Sequence, residues 1–249
     1  MKLARRTFLK AAGVAGVASI VSPATAAVRA AAGRGVLVDT TLCVGCRGCE
    51  AACSEANNLP APAGDSAVLE GRRSTTPTAF TVVNQATAAS GAVRYAKSQC
   101  LHCLDPACAS ACPVRALEKT ASGPVVYHRD RCMGCRYCMV ACPFGVPKYE
   151  YDRPVPYVRK CSFCAERQAA GKPPACTEVC PSGALLFGDR EQLLETARTR
   201  IYQNPDRYLH HVYGEHEAGG TAWLYLSDLP FESLGLPADV GTGPYPELT

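Results

Sequence analysis

Residues 132–143 read Cys-Met-Gly-Cys-Arg-Tyr-Cys-Met-Val-Ala-Cys-Pro: four cysteines separated by two, two and three residues, with a proline after the last. The same spacing stands at Cys43, Cys46, Cys49 and Cys53, in the run Cys-Val-Gly-Cys-Arg-Gly-Cys-Glu-Ala-Ala-Cys. Two further groups vary it. Cys100, Cys103, Cys108 and Cys112 lead into Pro113, and Cys161, Cys164, Cys176 and Cys180 lead into Pro181. These groups use all 16 cysteines of the 249-residue chain.

That many cysteines calls for disulfides, zinc or iron–sulfur clusters. The two-two-three spacing closed by proline is the bacterial ferredoxin signature, in which the fourth cysteine serves the other cluster of a pair. Three cysteines on one loop can reach three irons of a cubane while the chain wraps its face. Gly45 and Gly134, between the first two cysteines of their groups, relax the backbone and let amides approach sulfur. The fourth cysteine is expected to begin a short helix that points it away, and the proline fixes the direction of the chain. Zinc is the main chemical rival, but zinc ribbons use two Cys pairs across a long spacer. Catalytic thiols are excluded by the count, since no cysteine is left over.

The N-terminus reads as an address. Residues 5–10, Arg-Arg-Thr-Phe-Leu-Lys, follow the twin-arginine export pattern. A small apolar run from Ala11 to Val21 follows, then an A-x-A cleavage pattern at Ala24, Thr25 and Ala26. Residues 1–26 are therefore expected to direct the chain to the periplasm. The twin-arginine route generally carries proteins that fold and load cofactors before export, which argues against a disulfide framework. Beyond residue 26 no apolar run reaches membrane-spanning length, so no span is expected.

The formal charge of +4 comes from that segment. Lys2, Arg5, Arg6 and Lys10 are four of the 26 basic residues, and the remaining 22 match the 22 acidic ones. Sixteen thiolates on four 2+ cores would add a net charge of about −8. Arg47, Arg131, Arg136, Lys148, Arg159 and Lys160, all near cysteines, are candidates to offset it, or else are solvated surface charge. No basic run points to nucleic acid.

From about residue 35 to 235 the chain resembles the four-cluster ferredoxin-like subunits of membrane-associated respiratory oxidoreductases. Among these are the small subunits of formate dehydrogenases, of quinone-linked nickel–iron hydrogenases, and of dimethyl sulfoxide or polysulfide reductases. The resemblance is carried by the four cysteine groups, by Gln99-Cys-Leu-His-Cys103, and by Cys135-Arg-Tyr-Cys-Met-Val-Ala-Cys-Pro-Phe-Gly-Val-Pro-Lys-Tyr149. Residues 213–221, Tyr-Gly-Glu-His-Glu-Ala-Gly-Gly-Thr, look most like the hydrogenase type, with formate dehydrogenase close behind. The resemblance implies four [4Fe–4S] clusters. It gives one to Cys43, Cys46, Cys49 and Cys180, and a second to Cys53, Cys161, Cys164 and Cys176. A third goes to Cys100, Cys103, Cys108 and Cys142, and the fourth to Cys112, Cys132, Cys135 and Cys138. It implies a catalytic oxidoreductase subunit at one end and an integral membrane, quinone-linked subunit at the other. Several relatives carry a C-terminal membrane helix that Tyr245–Thr249 does not supply, so contact with a membrane subunit is expected to be protein–protein.

The expected fold is α+β: two ferredoxin-like [4Fe–4S] dicluster units with short strands and helices and many loops. The divisions are 1–26, the signal; 27–94, the first cysteine group with an insertion; 95–150, an inserted dicluster unit; 151–190, the fourth group completing the first unit; and 191–249, a C-terminal helix, strand and tail. Strands are predicted at Val36–Val38, Val125–His128, Ala184–Phe187 and Trp223–Leu226, a hairpin from Phe80–Val83 and Val93–Ala96, and an amphipathic helix over 191–200. His102, between two cysteines, is expected to hydrogen-bond a cluster sulfur and tune its potential. His210, His211 and His216 read as a solvated loop, and Tyr137, Phe144 and Phe163 as side chains that keep water from the clusters. An electron-transfer subunit is the primary expectation. A freestanding periplasmic multi-cluster ferredoxin is the alternative, and a catalytic enzyme would need an open iron or a nucleophile.

Overall fold

The computed structural model describes residues 33–88 and 90–248, so the export signal expected over residues 1–26 lies outside the described residues. The organising element is β1, Arg34–Asp39, whose Val36, Leu37 and Val38 are fully buried. A run of β-branched and apolar residues covered on both faces suits the middle of a sheet. β1 lies between β8, Leu185–Asp189, with which it is antiparallel, and β9, Trp223–Leu226, with which it is parallel. Alternation then sorts the side chains. Leu37, Leu224 and Leu226 face α6, Arg190–Gln203, through its Leu193, Leu194 and Ala197. Val36, Val38, Trp223 and Tyr225 face the other way, onto a core that includes Phe163 and Cys176.

α6 starts where Asp189 accepts the amide hydrogens of Glu191 and Gln192, an N-cap. It runs one residue before and three residues beyond the predicted segment, and its first residue, Arg190, is buried, its guanidinium donating to the carbonyls of Gly214, Glu215 and Thr221. Asp39, at the end of β1, accepts from Arg200 of α6 at 2.7 Å and from the Tyr208 hydroxyl at 2.9 Å. The tail closes on the chain's own core through Leu229, Phe231, Leu234 and Leu236. No helix among the described residues is long and apolar enough to cross a membrane.

The remaining elements are short. The hairpin pairs β2, Thr81–Thr87, with β3, Val93–Gln99, and is longer than predicted on both arms. β4, Leu117–Lys119, pairs with β5, Val125–Tyr127, and β6, Lys148–Tyr149, with β7, Val158–Arg159. The helices α1, Gly48–Ala56, α2, Ala107–Ser110, α3, Tyr137–Ala141, and α5, Ala175–Glu178, each belong to one cysteine group, and α4, Ala165–Ala169, links the last group internally. α1 packs against α5 and α2 against α3, which joins the first group to the fourth and the second to the third. These are the mixed, loop-rich α+β ferredoxin-like units that the spacing predicts.

One expectation is corrected. The third cysteine of each group, not the fourth, opens the helix: Cys49, Cys108, Cys138 and Cys176 are each the second helical residue. The fourth lies further along or just past the end, four residues on. At 1.5 Å per residue that turn carries it about 6 Å along the axis.

Glu50 fixes α1 to the hairpin. Its buried carboxylate accepts from Arg47, from Arg73 and from the Val83 amide. Removing it strands two arginines and a buried amide. Glu50→Ala should therefore cost about 3–5 kcal/mol, read as a lowered denaturant midpoint relative to the parent chain.

Candidate metal-cluster sites

Each cysteine group begins with a Cys-x-x-Cys turn, and the second intervening residue has a positive φ in all four. The values are 68° at Gly45, 50° at His102, 76° at Gly134 and 56° at Phe163. At two of these turns the amide of the left-handed residue itself faces the first sulfur. The Gly45 amide bonds Cys43 Sγ, and the Phe163 amide donates to Cys161 Sγ at 3.3 Å. Glycine meets this demand twice, and there it also meets a steric one. A Cβ on Gly45 would stand 2.7 Å from the Tyr95 ring, and one on Gly134 would stand 2.8 Å from Tyr149 Oη. His102 and Phe163 adopt the same turn at a cost of about 1–2 kcal/mol each. They stack on one another with ring centroids 4.9 Å apart, and Phe163 also packs on Trp223 at 5.7 Å.

The sixteen sulfurs fall into four sets. One cavity is lined by Cys43, Cys46, Cys49 and Cys180, with Lys97, Val83 and Val38 on its walls. A second is lined by Cys53, Cys161, Cys164 and Cys176, again with Lys97, and with Trp223 and Phe163. Another is lined by Cys112, Cys132, Cys135 and Cys138 with Leu117, Tyr127 and Val158. The remaining four, Cys100, Cys103, Cys108 and Cys142, lie close enough for their charges to interact. The sets are also in series. Cys49 of the first interacts with Cys176 of the second, Cys161 of the second with Cys100 of the third, and Cys108 of the third with Cys138 of the fourth.

Burial pushes these thiols up. Cys49 and Cys108 rise to about 12 and Cys53 and Cys138 to about 11, with neighbouring cysteines adding to the rise. Cys103 and Cys161 lie well above the ordinary thiol value for the same reasons. Thiols in this state are poor nucleophiles at neutral pH. They ionise when a metal replaces the proton.

A [4Fe–4S] group fits this arrangement on two observations. Four sulfurs ring a cavity, whereas among the described residues no three His, Cys, Asp or Glu side chains converge as a single ion requires. Of the four buried N–H donors without a hydrogen-bond partner among the described residues, two are Trp223 Nε1 and His102 Nε2, and Trp223 lines the second cavity. His102 Nδ1 accepts the Val125 amide at 2.9 Å, which leaves the proton on Nε2. Burial first, then Lys160, Lys119 and Lys97, holds its pKa well below the ordinary value, so the ring is neutral.

The other expectations divide. Lys160 is buried, its ammonium donating to the carbonyls of Val125 and Cys161 and lying 3.8 Å from Cys100 Sγ. Arg47 spends its charge on Glu50. Phe163 is buried and Phe144 packs against the core, but Tyr137 is 61% exposed and shields nothing. It opens α3 with its ring turned to solvent while the adjacent Cys138 turns in. His210, His211 and His216 are exposed, His211 pairing with Glu217. Sequence reasoning missed Lys97, Lys119 and Trp223. Lys119 donates to the carbonyls of His102 and Cys103, and burial lowers its pKa to about 8. The signal for Lys97 was its place in a strand three residues before Cys100.

Two stretches, residues 42–116 and 92–190, match the family described as the 4Fe–4S dicluster domain. A protein of Nitratidesulfovibrio vulgaris is 49% identical across 98% of this chain and 70% of its own length. The hydrogenase-2 operon protein HybA of Escherichia coli O157:H7 is 38% identical across 96% of this chain and 86% of its own. The nitrate-inducible formate dehydrogenase iron-sulfur subunit of Escherichia coli K12 is 34% identical across 82% and 72%.

The turn geometry can be tested at Gly134. Gly134→Ala meets both the left-handed backbone and Tyr149 Oη, and should lower bound iron by about four per chain. Adding Tyr149→Phe should restore part of that loss, read as the iron-to-protein ratio.

Proposed function

Since the chain belongs to the [4Fe–4S] dicluster family of iron–sulfur electron-transfer subunits, we propose that it holds four [4Fe–4S] clusters in series and passes electrons between a catalytic oxidoreductase subunit and a quinone-linked membrane subunit. The ligand sets are those that the resemblance implies: Cys43, Cys46, Cys49 and Cys180; Cys53, Cys161, Cys164 and Cys176; Cys100, Cys103, Cys108 and Cys142; and Cys112, Cys132, Cys135 and Cys138. What chiefly supports them is that three of the sets each line one cavity. The divisions of the chain follow, with 95–150 as a dicluster unit inserted into the one that 151–190 completes. Residues 1–26 are a twin-arginine signal on this reading, and the working location is the periplasm.

Bound clusters supply one-electron storage, cycling between 2+ and 1+ cores. The chain does the rest. Backbone amides from the left-handed turns donate to sulfur. The Nε2–H of His102 is the donor left over for a cluster sulfur, and the indole N–H of Trp223 offers a second. Phe163, Leu117, Val125 and Val158 keep water out, which limits reorganisation around the charge. Buried lysines offset negative charge.

Partners have two places to dock. Around the fourth set Met133 is 66% exposed and Val140 88%, with Tyr137 beside them; Val44 at the first set is also exposed. Apolar side chains at the two ends of a series suit protein contacts there. The printed names of the relatives point to hydrogenase or formate dehydrogenase partners, and the higher identity and coverage of the hydrogenase-2 operon protein tip the balance to a hydrogenase.

Metal analysis of the complex, captured anaerobically through a C-terminal tag, tests this. About sixteen iron atoms per copy of this chain are expected beyond any held by a partner. Stoichiometric zinc, or far less iron, overturns the reading. Nickel in the complex identifies a hydrogenase, and molybdenum or tungsten a formate dehydrogenase or related reductase. Full iron with no second subunit would mark a freestanding carrier. Val140→Asp should weaken capture of a partner without changing the iron content.

A further inference from the structure

Lys97 occupies an unusual position. It lies on β3, is 3% exposed, and lines both the cavity ringed by Cys43, Cys46, Cys49 and Cys180 and the one ringed by Cys53, Cys161, Cys164 and Cys176. Its ammonium donates to Gln99 Oε1 at 3.0 Å and sits 4.5 Å above the Trp223 ring. Gln99 is in turn held by the Tyr225 hydroxyl, which donates to the Lys97 carbonyl. Among the described residues no carboxylate pairs with it.

A buried ammonium with no counter-charge is costly and would ordinarily give up its proton. The cysteines that ring the two cavities become thiolates when a metal replaces their protons, and they then supply the missing counter-charge. Lys97 lines the cavities of both sets, so it answers both sites at once. A cubane held by four thiolates gains one further negative charge on reduction. A fixed cation beside it stabilises the reduced form more than the oxidised one, and a low-dielectric, dry setting strengthens the effect.

We propose that Lys97 is a positioning residue for charge: one buried cation shared by the first and second clusters, raising the reduction potentials of both together. This rests on the four-cluster reading. The fourth cavity has neither Lys97 nor any other lysine on its walls, so that centre serves as an internal reference. Lys160, which bridges Cys161 and Cys100, stands at the next junction and is left unchanged in the test.

The test is a redox titration of the purified complex followed by electron paramagnetic resonance, with iron counted in every sample. In Lys97→Met two of the four centres should become at least tenfold harder to reduce, a fall of about 59 mV for a one-electron couple. The centre of the fourth set should stay put, and Lys97→Arg should keep all four near the parent values. Should Lys97→Met fail to load clusters, Gln99→Glu carries the test, because a carboxylate 3.0 Å from the ammonium cancels its charge with the lysine in place. The same two centres should fall. Full iron with no centre moved, or with all four moved alike, overturns the proposal. A parent complex lacking four paramagnetic centres fails earlier, on the cluster reading itself.

Discussion

Sixteen sulfurs can be turned inward only if the backbone turns with them, and the left-handed residue inside each Cys-x-x-Cys sets that direction. From it follow the inward amides, the helix that starts at the third cysteine, and the handover of the fourth cysteine to the next set. Glycine meets the demand at 45 and 134 and also yields room to Tyr95 and Tyr149. At 102 and 163 the demand falls on an imidazole and a phenyl ring, which are bulky in that conformation and are held by packing. Their stacking on each other and on Trp223 repays the strain within one aromatic cluster. The three-stranded sheet is a floor for that cluster, with α6 beneath it.

The second demand is charge. Buried sulfur that becomes thiolate must be answered, and the chain answers from the inside, with Lys97 and Lys160 almost fully buried and Lys119 largely so. Surface arginines do less than their proximity in sequence suggests. Arg47 is committed to Glu50, and Arg136 lies over the rings of the half-buried Tyr149 and the exposed Tyr151. Electrostatic support in this molecule comes from side chains on strands and loops that face the cavities rather than from residues between the cysteines.

Much of this was legible beforehand. Cysteine spacing is a covalent ruler and identified the chemistry, while alternation located β1, β5, β8, β9 and the hairpin within a few residues. What the chain alone did not disclose depends on three-dimensional neighbours. Lys97 is an unremarkable strand lysine until the fold places it between two cavities. Tyr137 shares a helical turn with Cys138, yet one faces solvent and the other the cavity, a matter of helical phase that spacing cannot assign. The helix start was misjudged by one cysteine, because the left-handed Arg47 and Arg136 that precede it, at φ 59° and 62°, are not residues from which that conformation is read.

The parallel pairing of β1 with β9 has a temporal side. Residues 36–39 find their partner only at 223–226, far along the sequence. On a ribosome the first strand must wait for all the intervening residues before that edge of the sheet is filled. Trp223, which walls the second cavity and stacks on Phe163, arrives in the same step. The cysteine loops are thus made long before the wall that closes over the second cavity.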